Sequence, residues 1–211
     1  MSTIIHSAGF TPTDPTTLGR WTDIDIGGLP TVHDPFCTLG IDAVLLPPER
    51  LRIVGEAWTL RQVDGTEDAL RQALERIPPQ MVLVVECTAS PLIWHRDLLA
   101  RAIGKQLAGL VVSGSIERKD DADFADIPLF ICSPSAQRVG GELLSEINCI
   151  VQVGQTFVRP GDFIIGQRDG VAAISRTSDR ISALTPKALK APFQRSAVVS
   201  LSRATIKSQY A

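Results

Sequence analysis

The stretch MVLVVECTASPLIWHRDLLARAIGKQLAGLVVSG (81–114) decides the fold. It opens on MVLVVE (81–86), an almost unbroken apolar run of strand length. Such a run, with no polar residue at alternate positions, belongs to a strand covered on both faces. It closes on GLVVSG (109–114), a second run of the same kind, and RDLLARAIGKQL (96–107) between them reads as a helix. Upstream, RIVGEAWTLR (52–61) alternates apolar and polar residues and predicts a strand. TEDALRQALERI (66–77) predicts a helix whose apolar stripe is Ala69, Leu70, Ala73, Leu74 and Ile77. Thr66 is placed to cap it, Glu67 and Asp68 suit its first turn, and Pro78-Pro79 stop it.

Downstream, IPLFIC (127–132) and NCIVQVG (148–154) read as further strands. FVRPGDFIIGQRDGVAAIS (157–175) reads as two or three short ones parted by Pro-Gly and Asp-Gly turns. The outer segments are weaker. Residues 1–29 form an N-terminal arm, with Pro12 and Pro15 in its irregular lead-in. TVHDPFCTLG (31–40) predicts a short helix interrupted at Pro35, and SDRISALTPKALK (178–190) one broken at Pro186. Residues 191–211 are a C-terminal extension of little pattern. One α/β domain over 30–190, a mixed sheet covered by helices, is the economical architecture.

Composition narrows the function. The chain has 211 residues, enough to bury a core without a disulfide or metal staple. A net charge of −2 and an aromatic content of 5% supply neither the basic footprint nor the stacking platforms of nucleic-acid binding. No polybasic run marks a membrane surface, and no apolar stretch nears the roughly 18 residues of a span. The N-terminus lacks the pattern of a signal peptide, so a cytoplasmic location is expected. Cys37, Cys87, Cys132 and Cys149 are widely spaced, without a Cys-x-x-Cys pair; Cys87, Cys132 and Cys149 lie in or beside apolar runs and are expected to be buried free thiols.

Several of these stretches, in this order and spacing, resemble the RraA-like family of ribonuclease-activity regulators and 4-hydroxy-4-methyl-2-oxoglutarate aldolase-like proteins. GEAWTL (55–60) is similar to its Gly-x-Ala-x-Thr strand, and MVLVVE (81–86) to its Val-Leu-Val-Val-Asp strand. DLLARAIGKQLAGLVVSGSIERKDD (97–121) resembles the helix, strand and turn that hold its site. VGQTFVRPGDFIIGQRDGVAAI (153–174) resembles its Pro-Gly-Asp and Asp-Gly-Val signature, and PTVHDPF (30–36) is a weaker match. The resemblance covers about residues 30–185. It implies an RraA-like swivelling β/β/α domain, a homotrimer or hexamer, and a site at the subunit boundary. For the aldolase branch it implies carbon–carbon cleavage of a small oxo acid with Mg or Mn as the divalent metal. An Arg clamps the substrate and the following Asp helps hold the metal, so that both stabilise the enolate.

This chain departs from that motif. Alignment through Asp97-Leu98 and Gly114 puts the motif Gly at Arg96 and the Arg-Asp pair at Glu117-Arg118. A guanidinium has no lone pair for a metal, and Glu117 repels an anionic substrate. Three readings stay open: solvated charges on a decayed site, an Arg96–Glu117 charge exchange, or a one-residue insertion that makes Arg118 the clamp and brings Asp120 or Asp121 to a metal. On the resemblance the catalytic candidates are Glu117, Arg118 and Arg96, and the substrate-binding candidates are His95, Asp97, Leu98 and Ser113. His95 is a general acid or base by chemistry, against a plain surface or capping role. Asp97 gains from the helix dipole in any case. The backbone amides around 94–98 suit an anion. Asp162 and Asp169, in turns beside Gly, are read as structural.

Three functions follow: a lyase with an altered site, a non-catalytic binding or regulatory protein, and an enzyme of changed chemistry. The last uses Glu117, buried near Trp94, as acid or base on a non-anionic substrate.

Overall fold

The computed structural model describes residues 3–14, 18–19, 38–39, 52–63, 66–120, 127–132, 144–154, 156–167 and 170–176. The structure is built on β3 (Ile53–Gln62), β4 (Val82–Cys87), β6 (Gly109–Ser113) and β8 (Leu129–Cys132), which lie side by side and parallel. Two of the crossovers are helical: α1 (Asp68–Arg76) between β3 and β4, and α2 (Arg96–Gly104) between β4 and β6. Parallel neighbours need such long connections, and their common hand puts both helices on one face.

The free edge of β3 carries two partners. β9 (Glu146–Ile147) pairs antiparallel with Leu60 and Arg61, and β12 (Phe163–Gln167) pairs antiparallel with Ile53–Glu56. β13 (Gly170–Ile174) folds back on β12, and β10 (Val151–Val153) with β11 (Thr156–Val158) make a separate hairpin. β1 (Ile4–Ile5) adds parallel to β9, and β2 (Thr38–Leu39) antiparallel to β8.

Side-chain alternation divides the buried residues into two cores. Leu60, Leu83, Val85, Leu110 and Val112 meet Leu70, Leu74 and Leu98 of the helices. Ala57, Val82, Val84, Val111 and Phe130 meet Val151, Val158, Ile164 and Val171 on the other face. β4 and β6 therefore need apolar residues at every position, which is why their sequences show no period.

Four expectations change. The N-cap of α1 is Glu67, without a side-chain cap bond, and not Thr66; the Thr66 carbonyl instead accepts from Gln62 Nε2 at 3.1 Å. In TVHDPFCTLG, Thr38 and Leu39 are strand, recruited by Ile131 and Phe130; the rest of that predicted helix, and the one over 178–190, fall outside the described residues. NCIVQVG is a strand only over Val151–Val153, because Asn148 turns the chain with φ 59°. Of the four cysteines, Cys87 and Cys149 are free as expected, but Cys132 is disulfide-bonded.

Candidate functional site

Two short strands place the site. β5 (Leu92–Trp94) follows β4, and β7 (Ile116–Arg118) follows β6. They pair in parallel, Leu92 with Ile116, Ile93 with Glu117 and Trp94 with Arg118. The ladder is extended by Leu92 N–H donating to Ser115 O at 2.8 Å and Lys119 N–H to Trp94 O at 2.7 Å. Trp94 is wholly buried in the helix-side core and anchors the pair. Because β4 and β6 are parallel neighbours, this ladder stands beyond their carboxyl ends, where open α/β sheets bind ligands. It carries Glu117 and Arg118 beside the first turn of α2.

Arg96 opens α2 with its guanidinium exposed, and Arg96 Nη2 donates to the Asp120 carbonyl at 3.4 Å. Glu117 is 54% exposed and lies 3.8 Å from Lys119 Nζ. The anticipated Arg96–Glu117 exchange is therefore not what forms, since each has a nearer partner from the same tight turn. Glu117 also lacks the burial near Trp94 that the sequence suggested.

His95 holds the N-cap position of α2 but makes no side-chain cap bond. Its Nε2 lies against Glu67 Oε1, a charge contact without hydrogen-bond geometry. Its Nδ1 faces Asp120 Oδ2 at 4.0 Å. Asp97 is exposed in the first turn of α2. Leu98 is fully buried in the helix-side core, so only its backbone is available to a ligand. Ser113 is 1% exposed and alternates onto the opposite face of the sheet. The structure thus brings Arg96, His95, Asp97, Glu117, Arg118 and Asp120 to one end of the sheet and turns the Ser113 side chain away. Asp121 and Asp169 lie outside the described residues.

The donor set does not suit the divalent ion that the aldolase resemblance implies. On the motif alignment a guanidinium, that of Arg118, takes the metal-ligand position, and Asp120 is 75% exposed. Among the described residues no three His, Cys, Asp or Glu side chains converge on one point.

Glu67 is the member the sequence reading missed. Its position in a first helical turn predicted dipole stabilisation alone, and only the packing of α1 beside α2 brings it to His95. A second group also escaped notice. Cross-strand register aligns Glu146, Arg61, Glu86, Ser113 and Cys132 across five strands. Arg61 Nε donates to Glu86 at 3.2 Å, Nη1 to Glu146 at 2.8 Å and Nη2 to Ile150 O at 2.5 Å. Glu86, 6% exposed, also accepts from Gln152 N–H at 3.0 Å. Burial opposes the Arg61 charge, but Cys149, Glu86 and Glu146 outweigh it and hold the guanidinium above its usual value. Every arm of Arg61 is taken up, so the row ties β9 and β10 to the sheet.

Asp162 is structural as expected. Its carboxylate accepts from Arg159 N–H at 2.8 Å and Arg176 N–H at 3.1 Å. Burial nevertheless raises its pKa, against the pull of those two bonds.

A parallel sheet flanked by helices on one face and hairpins on the other, with a charged ladder beyond its strand ends, defines an α/β domain of the aldolase and RraA type. The chain belongs to that family: the Aldolase/RraA (RraA-like) profile matches residues 29–173. It is 28% identical over 132 residues to a putative 4-hydroxy-4-methyl-2-oxoglutarate aldolase of Halalkalibacterium halodurans, spanning 61% of this chain and 62% of that relative. Among solved structures it is similar to RraAS2 of Streptomyces coelicolor, an unusual member of the RNase ES inhibitor RraA family. That match has a TM-score of 0.59 and 20% identity, over 85% of this chain and 93% of that one. The RNA-processing inhibitor RraA of Thermus thermophilis is 26% identical over 61% of this chain and 81% of its own, with a TM-score of 0.47. Among the described residues no helix is long and apolar enough to cross a membrane.

Proposed function

We propose that this chain is a carbon–carbon lyase of the aldolase or oxo-acid decarboxylase type, working through a rearranged site at the start of α2. The observation that supports the reading is the β5–β7 ladder, in which Arg118 pairs with Trp94, two residues before Arg96 opens α2. Two guanidiniums there suit the carboxylate and the developing enolate oxygen of a small oxo acid. Asp97 and the backbone amide of Leu98 complete the binding surface, and the assembly is a homotrimer or hexamer with this surface at the boundary. A decarboxylation assay with oxaloacetate tests the reading, run with magnesium, with manganese and with chelator. Turnover is expected, with Arg96→Ala lowering kcat/KM by about tenfold to a hundredfold, the worth of a charge-assisted contact at about 1.4 kcal/mol per decade. No rate above background under any of the three conditions sinks it.

A second reading has its own support, because Glu117, Arg118, Lys119 and Asp120 form an exposed, charged turn. Such a surface suits regulatory binding to a protein, and two of the similar structures are named as inhibitors of RNA processing or of RNase ES. Binding to a ribonuclease of that kind, measured on an immobilised surface and lost on charge reversal at Lys119, would favour it over catalysis.

A further inference from the structure

We propose that His95 is the acid–base group of this site and that Glu67 is the positioning residue that holds its ring. The inference deepens the lyase reading and rests on it. His95 stands where a helix takes a capping side chain, yet it caps nothing. Its Nε2 is instead turned back to Glu67, a residue 28 positions earlier at the start of the other helix. The second oxygen of Glu67 lies 3.6 Å from Arg71 Nη2, an ion pair within the first turns of α1. The opposite ring nitrogen, Nδ1, faces Asp120 at 4.0 Å, beyond hydrogen-bond reach. Arg96 meets the same residue, through its bond to the Asp120 carbonyl. The ring is one-quarter exposed, buried enough to be oriented and open enough to be reached.

A carboxylate set against one nitrogen of an imidazole orients the ring by charge and leaves its other nitrogen for proton transfer. The charged groups against the ring are Glu67 at the start of α1 and Asp120 after β7; Arg71 pairs with that Glu67, and Arg96 bonds the carbonyl of that Asp120. Asp120 is exposed to water, whereas Glu67 is the inner partner, so Glu67 sets the ring's orientation.

The chemistry balances without a co-reactant. In oxaloacetate the C3–C4 bond breaks, its electron pair stays as the enolate of pyruvate, and C4 leaves as carbon dioxide. The imidazolium of His95 gives its proton to C3, and water returns one to the ring. With a 4-hydroxy-2-oxo acid the neutral ring takes the hydroxyl proton as the same bond breaks, a carbonyl product leaves, and that proton goes to C3.

The test is the full chain turning over oxaloacetate, with kcat and KM followed over roughly pH 5 to 9, the range in which a histidine works. His95→Gln and His95→Asn are expected to lower kcat by about a hundredfold, with KM little changed and thermal unfolding unaltered. Glu67→Gln should lower kcat by about tenfold and displace one limb of the kcat–pH profile, while Glu67→Asp restores that limb. An active wild type whose His95 variants keep full kcat, or whose Glu67→Gln profile superimposes on it, overturns this inference and leaves the lyase reading standing. An inert wild type overturns both together.

Discussion

Cys87 and Cys149 show how a single atom reports its surroundings. Burial pushes the Cys87 thiol up to about 12, with the Glu86 charge adding to it. Burial likewise lifts Cys149 to about 11, against the lowering influence of Arg61. Both thiols therefore stay protonated in the fold at pH values where the unfolded chain, at the ordinary 9.0, ionises. A raised folded pKa contributes stability that is fully present below the unfolded value and lost as pH rises through the folded one. Urea unfolding midpoints should accordingly hold up to about pH 9 and fall between there and about 11 to 12. Cys87→Ala should flatten part of that fall. Native protein at pH 8 should react slowly with a thiol reagent at both positions, and fast reaction at Cys87 would contradict its burial. That these free thiols pack beside the cores was legible from the apolar runs around them, although both are half-buried and not fully enclosed. The disulfide at Cys132 was not, because bonding depends on a partner that local pattern does not reveal.

Gly55, Ala57 and Thr59 read in sequence as a family pattern on an alternating strand, and the structure gives each a reason. A Cβ at Gly55 would stand 2.8 Å from the Gln80 carbonyl and 3.0 Å from Val82 Cγ2, because β3 and β4 close tightly there. Ala57 N–H donates to Asp162 O at 2.8 Å and Ala57 O accepts from Gly161 N–H at 2.9 Å, so strand and Pro-Gly-Asp turn lock together. Thr59 Oγ1 donates to Cys149 O at 2.6 Å. Gly55→Ala should therefore cost about 1–3 kcal/mol through overpacking. Gly104→Ala offers the opposite sign, since nothing lies within 4 Å of its Cβ position and it ends α2 without a positive φ. A gain of about 0.5–1 kcal/mol is expected there. Chemical denaturation of both variants checks the pair, and equal signs would be inconsistent with these contacts. The long elements were legible because each satisfies its own periodicity. β1, β5, β7 and β9, with two or three residues each, were not: their neighbours make them strands, and two of them build the site.

Over the whole molecule, residues 3–14 of the N-terminal arm are a strap that closes the domain. Ile4 N–H and His6 N–H donate to Ser145 O and Ile147 O at 2.9 and 3.0 Å, and His6 Nε2 pairs with Glu146 at 2.8 Å. Ala8 and Phe10 then pack against the helix-side core, with Phe10 beneath the Arg176 guanidinium at 5.4 Å and against Gly161. At the far end Thr13 N–H and Oγ1 donate to Glu56 at 2.7 and 2.5 Å. Arg176 reaches the same carboxylate at 2.5 Å and the Thr11 carbonyl at 2.8 Å. Glu56 is 1% exposed, so one buried carboxylate fastens the strap and the turn after β13 to β3. The polar composition of residues 3–14 concealed this, because the strap is held mainly through backbone and charge. Deleting residues 1–14 would leave the Glu56–Arg176 pair half solvated and strip Phe10 from the core. With each net hydrogen bond worth about 1 kcal/mol and a half-buried aromatic about 1, the loss should reach about 3 kcal/mol. That is a large share of the roughly 5–15 kcal/mol that holds a domain. Glu56→Gln should reproduce part of the loss, since it removes the charge that Arg176 answers and leaves the strap's strand pairing intact. Urea titration of the two variants distinguishes the contributions. A deletion variant as stable as the full chain would mean that the strap rests on the domain without holding it.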